Sequence, residues 1–305
     1  MLPWLAVRLG IGAEAGVLGG LAGALIPQQG IGEIIGGSDQ PFPGIALGLL
    51  AVAFLRRWTG EPGSAVRSLL LGIACGAAFH LSPPLLPVVL GWMVFELAWS
   101  RDRRKWWLTA CIASGAIAAC LPWAWRNYTT FHRLLFIRGN FGLELRIANH
   151  DGADADIDVT AARDGVLRHP SARLEEAQKV RDLGEAEYMR QARNEALEWI
   201  GRHPGEFLRL TLLRAVHFWC GQLRLPWLAA ATTAVTILAL LGLRRSLPAL
   251  TAPQRAALLV PFAPFPLVYY VVSYLSHYRA PLEGMLLLLA GAEVRHWVKP
   301  GVRED

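Results

Sequence analysis

The sequence consists mostly of apolar runs, each near the length of a membrane-crossing helix, separated by short polar segments. An α-helix needs roughly 20 apolar residues to cross a bilayer. A chain that is 53% hydrophobic and only 18% charged has little else from which to fold. The sequence therefore predicts an all-α polytopic membrane protein with about eight transmembrane helices. The predicted spans are residues 4–26, 42–55, 68–81, 84–99, 106–125, 227–243, 258–275 and 282–297.

The basic residues form short clusters between these runs, and the clusters predict the orientation of the chain. Arginine and lysine are enriched in cytoplasmic loops, and each cluster falls on one side of an eight-span path. The clusters are Arg56 with Arg57, residues 101–105, Arg244 with Arg245, and the C-terminal tail. Both termini are then predicted to be cytoplasmic. The net charge of +6 is explained by topology, so we predict no nucleic-acid partner.

One polar stretch of about a hundred residues interrupts the membrane pattern and predicts three regions. Residues 1–125 are predicted to hold membrane helices 1 to 5. Residues 126–225 form an external, mainly helical domain. Residues 226–305 hold helices 6 to 8 and a cytoplasmic tail.

Inside the external domain, the spacing of apolar and turn residues predicts a loop and two helices. Residues 149–158 are too polar and too rich in Asp and Gly for regular structure. Residues 174–200 have amphipathic helical spacing, with a break near Gly184. Residues 204–222 predict a helix that lies in the outer membrane interface.

The junction before this domain carries a recognisable pattern. It reads PWAWRNY at residues 122–128, then a hydrophobic and basic stretch, then RGNFGLELRIAN at residues 138–149. RHPGEFL at 202–208, YRAPLE at 278–283 and segments near Glu33 and His80 extend the pattern in both directions. Together they resemble the polyprenyl-phosphate-sugar-dependent glycosyltransferases of the GT-C superfold. That group contains the protein mannosyltransferase-like family 39 and the lipid A aminoarabinose transferase.

The resemblance implies an integral membrane glycosyltransferase, or the C-terminal part of one, in a bacterial inner membrane. Its donor would be a polyprenyl-phosphate-linked sugar, bound among membrane lipids, and its acceptor an external lipid, glycan or protein. In that superfold the catalytic carboxylate, usually an Asp, lies in a first external loop upstream of every segment matched here. We therefore expect either a longer gene that supplies this loop or a shortened relative.

The reaction requires positive groups to stabilise the departing lipid phosphate. Arg279 is the leading candidate, because the planar guanidinium suits a phosphate and the turn that carries it is short. Tyr278 adjoins it, and Arg126 and Arg138 lie at the junction. The alternative for each arginine is an anchor that extends to lipid headgroups.

The reaction also requires a carboxylate base for the acceptor. Glu33 and Asp39 are the acidic residues of the first predicted external turn, so they are the candidate catalytic residues. Either is also a candidate ligand for a divalent metal ion. The alternative is an ordinary solvated turn, and the residues leave metal dependence open.

Two other classes of protein compete with the glycosyltransferase. A catalytically inactive membrane subunit that binds lipid or a partner would explain the missing upstream carboxylate. A transporter would place ionisable residues near the bilayer midplane and often shows inverted repeats, whereas here the charges collect at the predicted interfaces and no repeat is visible.

Overall fold

The computed structural model describes residues 1–25, 41–60, 63–99, 102–136 and 139–298. This part of the chain is helical and contains no β-strand, as the sequence predicts. The helices are α1 Leu2–Arg8, α2 Ala13–Leu25, α3 Pro41–Thr59, α4 Ala65–Leu81, α5 Leu85–Trp99, α6 Arg103–Phe131, α7 Phe141–Ala148, α8 Ile157–Asp164, α9 Leu174–Leu183, α10 Glu185–Arg202, α11 Pro204–Cys220, α12 Pro226–Ser246, α13 Ala252–Leu259, α14 Leu267–Val271 and α15 Ala280–Val298. Short 3₁₀ turns occupy Leu247–Ala249, Val260–Phe262 and Ser276–Arg279.

Three of these helices are long and apolar enough to cross a membrane: Pro41–Thr59, Arg103–Phe131 and Pro226–Ala249, which includes the 3₁₀ turn after α12. Ala13–Leu25, Ala65–Leu81 and Leu85–Trp99 are apolar but shorter. Length and composition thus support a membrane protein. The predicted number of eight spans is not confirmed.

Two predicted spans are not continuous helices. Residues 4–26 are divided between α1 and α2, because Gly10 and Gly12 adopt positive φ angles of 80° and 98° that end the first helix. Residues 258–275 are divided among α13, a 3₁₀ turn and α14. Pro261 lies in the 3₁₀ turn and Pro264 in the turn that follows, and neither has a backbone N–H for helical hydrogen bonding.

The helices group into two compact units. The first unit comprises Met1–Ala119, Leu223–Phe265 and the chain from Arg279 onward. The second comprises Cys120–Gln222 and Pro266–Tyr278. The predicted external domain therefore falls in the second unit except for its last three residues, and the predicted boundaries at residues 126 and 225 stay predictions.

In the first unit, α3, α12 and α15 run parallel. A Cβ on Gly44, near the start of α3, would lie 3.3 Å from the carbonyl oxygen of Pro281, near the start of α15. Arg245 at the end of α12 pairs with Glu293 near the end of α15, with 2.7 Å between Nε and Oε2. The basic C-terminal ends of these helices therefore lie at one end of the unit.

A buried polar cluster joins the end of α3 to the ends of three further helices of the first unit. Arg57 Nε lies 2.8 Å from each oxygen of the Glu96 carboxylate, and Arg57 also donates to the hydroxyl of Ser68. The Thr109 hydroxyl donates to Glu96. The cluster links α3, α4, α5 and α6 and satisfies a carboxylate that is 1% exposed.

In the second unit, α7, α9 and α10 pack around Leu143, Ile147 and Tyr188. Gly184, with φ of 78°, separates α9 from α10 and confirms the predicted break. The helix that begins at Pro204 is confirmed as α11. Its exposed face carries Leu208, Leu212 and Val216, although its predicted place in the membrane interface stays a prediction.

Candidate functional site

A cavity of about 230 Å³ opens in the second unit between the end of α6 and the start of α7 and α10. Its walls combine three arginines with aromatic and aliphatic side chains, and we call it the basic cleft. The lining residues are Phe131, Arg133, Leu135, Gly139, Phe141, Gly142, Glu185, Ala186, Met189, Arg190 and Arg193.

The first wall is built by the junction that the sequence singled out. Helix α6 ends at Phe131, and His132 takes a left-handed conformation with φ of 51°, which turns the chain back. The buried side chain of Asn127 then donates a 2.8 Å hydrogen bond to the carbonyl of Leu135. Asn127 thereby fixes the segment that carries Arg133 and Leu135 into the cleft.

Arg126 lies next to this wall. Its guanidinium carbon lies 5.3 Å from the centre of the Trp123 ring and 5.5 Å from that of Phe131, which lines the cleft. It also donates to the Asn127 side chain. The arginine is exposed, so its charge contributes to the rim of the cleft.

The second wall depends on close packing of α7 against α10. A Cβ on Gly142 would lie 2.3 Å from the carbonyl oxygen of Met189, so only glycine permits this approach. The contact brings Phe141 and Met189 to the same cavity. Both supply apolar surface beside the charged groups.

A hydrogen-bonded cluster behind this wall holds the helices in place. Arg146 of α7 donates to the Glu176 carboxylate of α9 at 2.5 Å and to the Tyr188 hydroxyl of α10 at 2.7 Å, and Tyr188 donates to Glu176 at 2.6 Å. Burial alone would raise the pKa of Glu176, but the hydrogen bonds from Lys179, Tyr188 and Arg146 outweigh it and lower that pKa to about 2. Burial and the Glu176 contact raise the pKa of Tyr188 to about 12.

The charges in the cleft are incompletely balanced. Arg133 and Arg190 share one carboxylate, Glu187, at 3.7 Å for Arg133 and 2.8 Å for the Nε of Arg190. Hydrogen bonds from Arg190 and Gln191 lower the pKa of Glu187 to about 2. Arg193 has no ion pair within the described chain. The three arginines therefore exceed Glu185 and Glu187 by one positive charge.

Two helix N-termini also line the cleft. Phe141 and Gly142 open α7, and Glu185 and Ala186 open α10. Neither N-cap residue, Asn140 or Gly184, makes a side-chain capping hydrogen bond. The positive ends of both helix dipoles add to the arginines, although Glu144 in the first turn of α7 and Glu185 and Glu187 in that of α10 offset part of this charge.

The other predicted site residues lie elsewhere or outside the described residues. Arg279 is 1% exposed in the first unit, because Glu283, one helical turn later, pairs with it at 2.5 Å and Thr236 accepts a 2.8 Å hydrogen bond. The sequence predicted an accessible arginine there. Tyr278 belongs to the second unit and stacks on Tyr269 at 4.3 Å. Their roles in donor binding stay predictions. Glu33, Asp39 and Arg138 lie outside the described residues.

Sequence reasoning did not find Arg133, Arg190, Arg193 or Glu185. A signal was present on α10, where residues 185, 186, 189, 190 and 193 follow helical spacing and share one face. That face mixes charged and apolar side chains, so it resembles an ordinary solvated helix surface. Comparisons of the chain with protein-family models, curated protein sequences and solved structures give no match.

Proposed function

We propose that the chain is an integral membrane glycosyltransferase, or part of one, that takes a sugar from a polyprenyl-phosphate donor. The observation that carries the proposal is the basic cleft, in which three arginines and two uncapped helix N-termini face one cavity. The sequence resemblance at residues 122–149 supports it, because Asn127 of that stretch fixes the first wall of the same cleft.

The cleft has the chemistry for an amphiphilic phosphate. Guanidinium groups and backbone N–H groups would hold the phosphate oxygens, and Arg193 is free of competition from a described carboxylate. Phe131, Phe141 and Met189 offer apolar surface to the first part of a lipid chain. A soluble anion would contact only the charged groups of the cleft and would leave this apolar surface unused.

In the proposed reaction, the acceptor O–H or N–H attacks the anomeric carbon of the donor sugar. The bond from that carbon to the phosphate oxygen breaks, and its electron pair stays on the phosphate. Arg133, Arg190 and Arg193 stabilise the charge that forms there. A carboxylate takes the acceptor proton; Glu185 lines the cleft, and Glu33 and Asp39 remain the candidates predicted by sequence.

The proposed reaction contains no step that uses a metal ion. In the part of the chain that the structure describes, no three His, Cys, Asp or Glu side chains gather as a metal site. The phosphate contacts proposed here are all made by cationic side chains and backbone N–H groups. The acceptor, whether lipid, glycan or protein, is left open by the cleft.

The test is binding of a polyprenyl monophosphate to the purified full chain. Arg193→Ala should weaken binding about tenfold, since it removes one charge-assisted contact and leaves no carboxylate unpaired. Arg181→Ala is the matched control, because Arg181 is exposed on α9 and does not line the cleft. If the Arg193→Ala variant binds the polyprenyl monophosphate as tightly as the parent, the basic cleft is not the donor site.

Turnover separates the enzyme from a lipid-binding subunit. Incubation with a polyprenyl-phosphate sugar should release free polyprenyl phosphate if the chain is an active transferase. Tight, Arg193-dependent binding with no release of the lipid phosphate in the presence of membrane extract as acceptor would favour the inactive subunit.

A further inference from the structure

A second cavity, of about 300 Å³, lies at the basic end of the first unit. It is lined by Arg8, Val52, Leu55, Arg56, Thr59, Thr251 and Gln254. The two arginines come from the last turns of α1 and α3, and Thr251 and Gln254 come from the start of α13. This cavity belongs to a different unit from the basic cleft.

The break after α1 creates this arrangement. Leu5 and Gly48 are in contact, since a Cβ on Gly48 would lie 3.2 Å from a Leu5 methyl group, so α1 packs along α3 with Arg8 near Arg56. Gly10 follows with φ of 80°, and a Cβ there would lie 2.3 Å from Nε2 of Gln254. Glycine therefore lets the Gln254 amide approach the turn beside Arg8.

Two arginines at this end of the first unit are paired with carboxylates, whereas Arg8 and Arg56 are not. Arg57, the residue after Arg56, is neutralised by Glu96, and Arg245 is neutralised by Glu293. Within the described residues, Arg8 and Arg56 make neither an ion pair nor a side-chain hydrogen bond. Both side chains are exposed, so two uncompensated guanidinium groups border a cavity that is open to its surroundings.

We propose that this cavity binds a phosphate ester, with Arg8 and Arg56 as the anion-binding groups. Two planar guanidinium groups suit the oxygens of one phosphate, and the Gln254 amide adds a neutral donor. The apolar side chains of Val52 and Leu55 suit the glycerol and first acyl carbons of a phospholipid. A phospholipid headgroup and a free phosphate ester share this chemistry. The inference does not depend on the proposed transferase function.

The test uses the full chain in neutral detergent with dioleoylphosphatidylglycerol, measured by native mass spectrometry. The double variant Arg8→Gln/Arg56→Gln should raise the apparent Kd about tenfold or more, because each basic group near a lipid phosphate contributes several-fold. Arg244→Gln is the matched control, since Arg244 is exposed in the last turn of α12, as Arg56 is in the last turn of α3, and does not line the cavity. The control should change the Kd by less than about twofold.

Two further ligands identify what the cavity recognises. Dioleoylglycerol has the same acyl chains without the phosphate and should bind at least about tenfold more weakly. Displacement of the lipid by sn-glycerol 3-phosphate would assign the site to free phosphate esters, and resistance to displacement would assign it to a lipid headgroup. Parent-like lipid binding by the double variant, or equal binding of dioleoylglycerol, would overturn the proposal. Arg8→Lys/Arg56→Lys should keep part of the affinity, which shows that loss in the glutamine variant reflects charge and not misfolding.

Discussion

Glu176 holds its charge inside the second unit through hydrogen bonds from Arg146, Tyr188 and Lys179. Its pKa is about 2 in the folded chain and roughly 4.3 in an unfolded one. A lowered pKa contributes stability that is complete above the unfolded value and is lost as pH falls towards the folded value. The cluster should therefore weaken between about pH 5 and pH 2.

Glu176→Gln tests this dependence. The variant should lose on the order of 2 kcal/mol at pH 7 and roughly half as much near pH 3, since the folded pKa of about 2 leaves most of the parent's Glu176 carboxylate ionised at pH 3. Thermal unfolding midpoints of both proteins, followed by tryptophan fluorescence from pH 3 to pH 7, measure the difference. A gap between the two midpoints that stays constant across this range would show that the Glu176 charge is not the cause.

Arg214 is fully buried in α11 and caps two other helices. Its guanidinium donates to the carbonyls of Ala148 and Val271, at the ends of α7 and α14, and to the side chain of Asn149. Burial lowers the pKa of Arg214 to about 10, so the group still carries its charge at neutral pH. The negative ends of both helix dipoles favour that charge.

Arg214→Ala should destabilise the second unit by about 3 kcal/mol, because the Ala148 carbonyl and the Asn149 amide oxygen lose the arginine as donor, whereas the Val271 carbonyl keeps a hydrogen bond from the Asn149 amide. Arg209→Ala is the control on the same helix. Arg209 is exposed and pairs with Glu206, so its loss should cost less than about 1 kcal/mol. Urea unfolding of the two variants beside the parent gives both values, and equal losses would refute the capping role.

At the scale of helices, neighbouring glycines on α2 differ in what surrounds them. A Cβ on Gly19 would lie 2.3 Å from the carbonyl oxygen of Leu287 in α15, whereas a Cβ on Gly20 meets nothing within 4 Å. Gly19→Ala should therefore separate α2 from α15 and cost about 1–3 kcal/mol. Gly20→Ala should be neutral or stabilising by up to about 1 kcal/mol, because a methyl group there has room and alanine favours the helix.

Thermal stability of the two alanine variants in one detergent tests the packing. Gly20→Ala is the control for Gly19→Ala. Both variants add one methyl group to α2 at adjacent positions, so only the contact with α15 differs. If Gly20→Ala lowers the midpoint as much as Gly19→Ala, then the α2–α15 contact does not account for the loss.

Helix positions were predictable where one strong local signal acted alone. Pro204 begins α11, and Gly184 ends α9, as their backbone restrictions require. The division of residues 4–26 was missed because apolar length outweighed Gly10 and Gly12 in the prediction. The spans were predicted from the number of consecutive apolar residues. The ends of the helices, however, depend on the backbone angles of single residues such as Gly10 and Gly12.

The candidate site was only partly predictable for a different reason. Arg126 was found because it follows two tryptophans that the sequence places at the membrane interface. In the structure it lies within the last turns of α6, beside the basic cleft. Arg279 looked accessible in sequence, but Glu283 and Thr236 surround it in the structure. Arg133 and Arg193 line the same cavity from segments that lie far apart in the sequence. Patterns of neighbouring residues in the sequence do not predict which distant residues line one cavity.

At the scale of the whole molecule, the charge distribution predicts that residues 126–225 face the exterior. Ala153 is 4% exposed, so a cysteine there would react poorly, whereas Ala172 is exposed on a turn. In a background without native cysteines, Ala172→Cys should react with a membrane-impermeant maleimide in intact cells. Ala249→Cys, exposed after Arg244 and Arg245, should react only after lysis. The opposite pattern would mean that the topology is inverted.

The contact between α2 and α15 also has a consequence for the order of synthesis. Gly19 packs on the backbone of Leu287, and a Cβ on Gly291 would lie 2.1 Å from the carbonyl oxygen of Ala15. The ribosome makes α2 more than 250 residues before it makes α15. Throughout that interval the glycine face of α2 has none of its native contacts with α15. The native packing of the first unit therefore cannot be completed as each helix emerges during translation. A chain that stops before residue 280 lacks α15, the helix against which α2 packs.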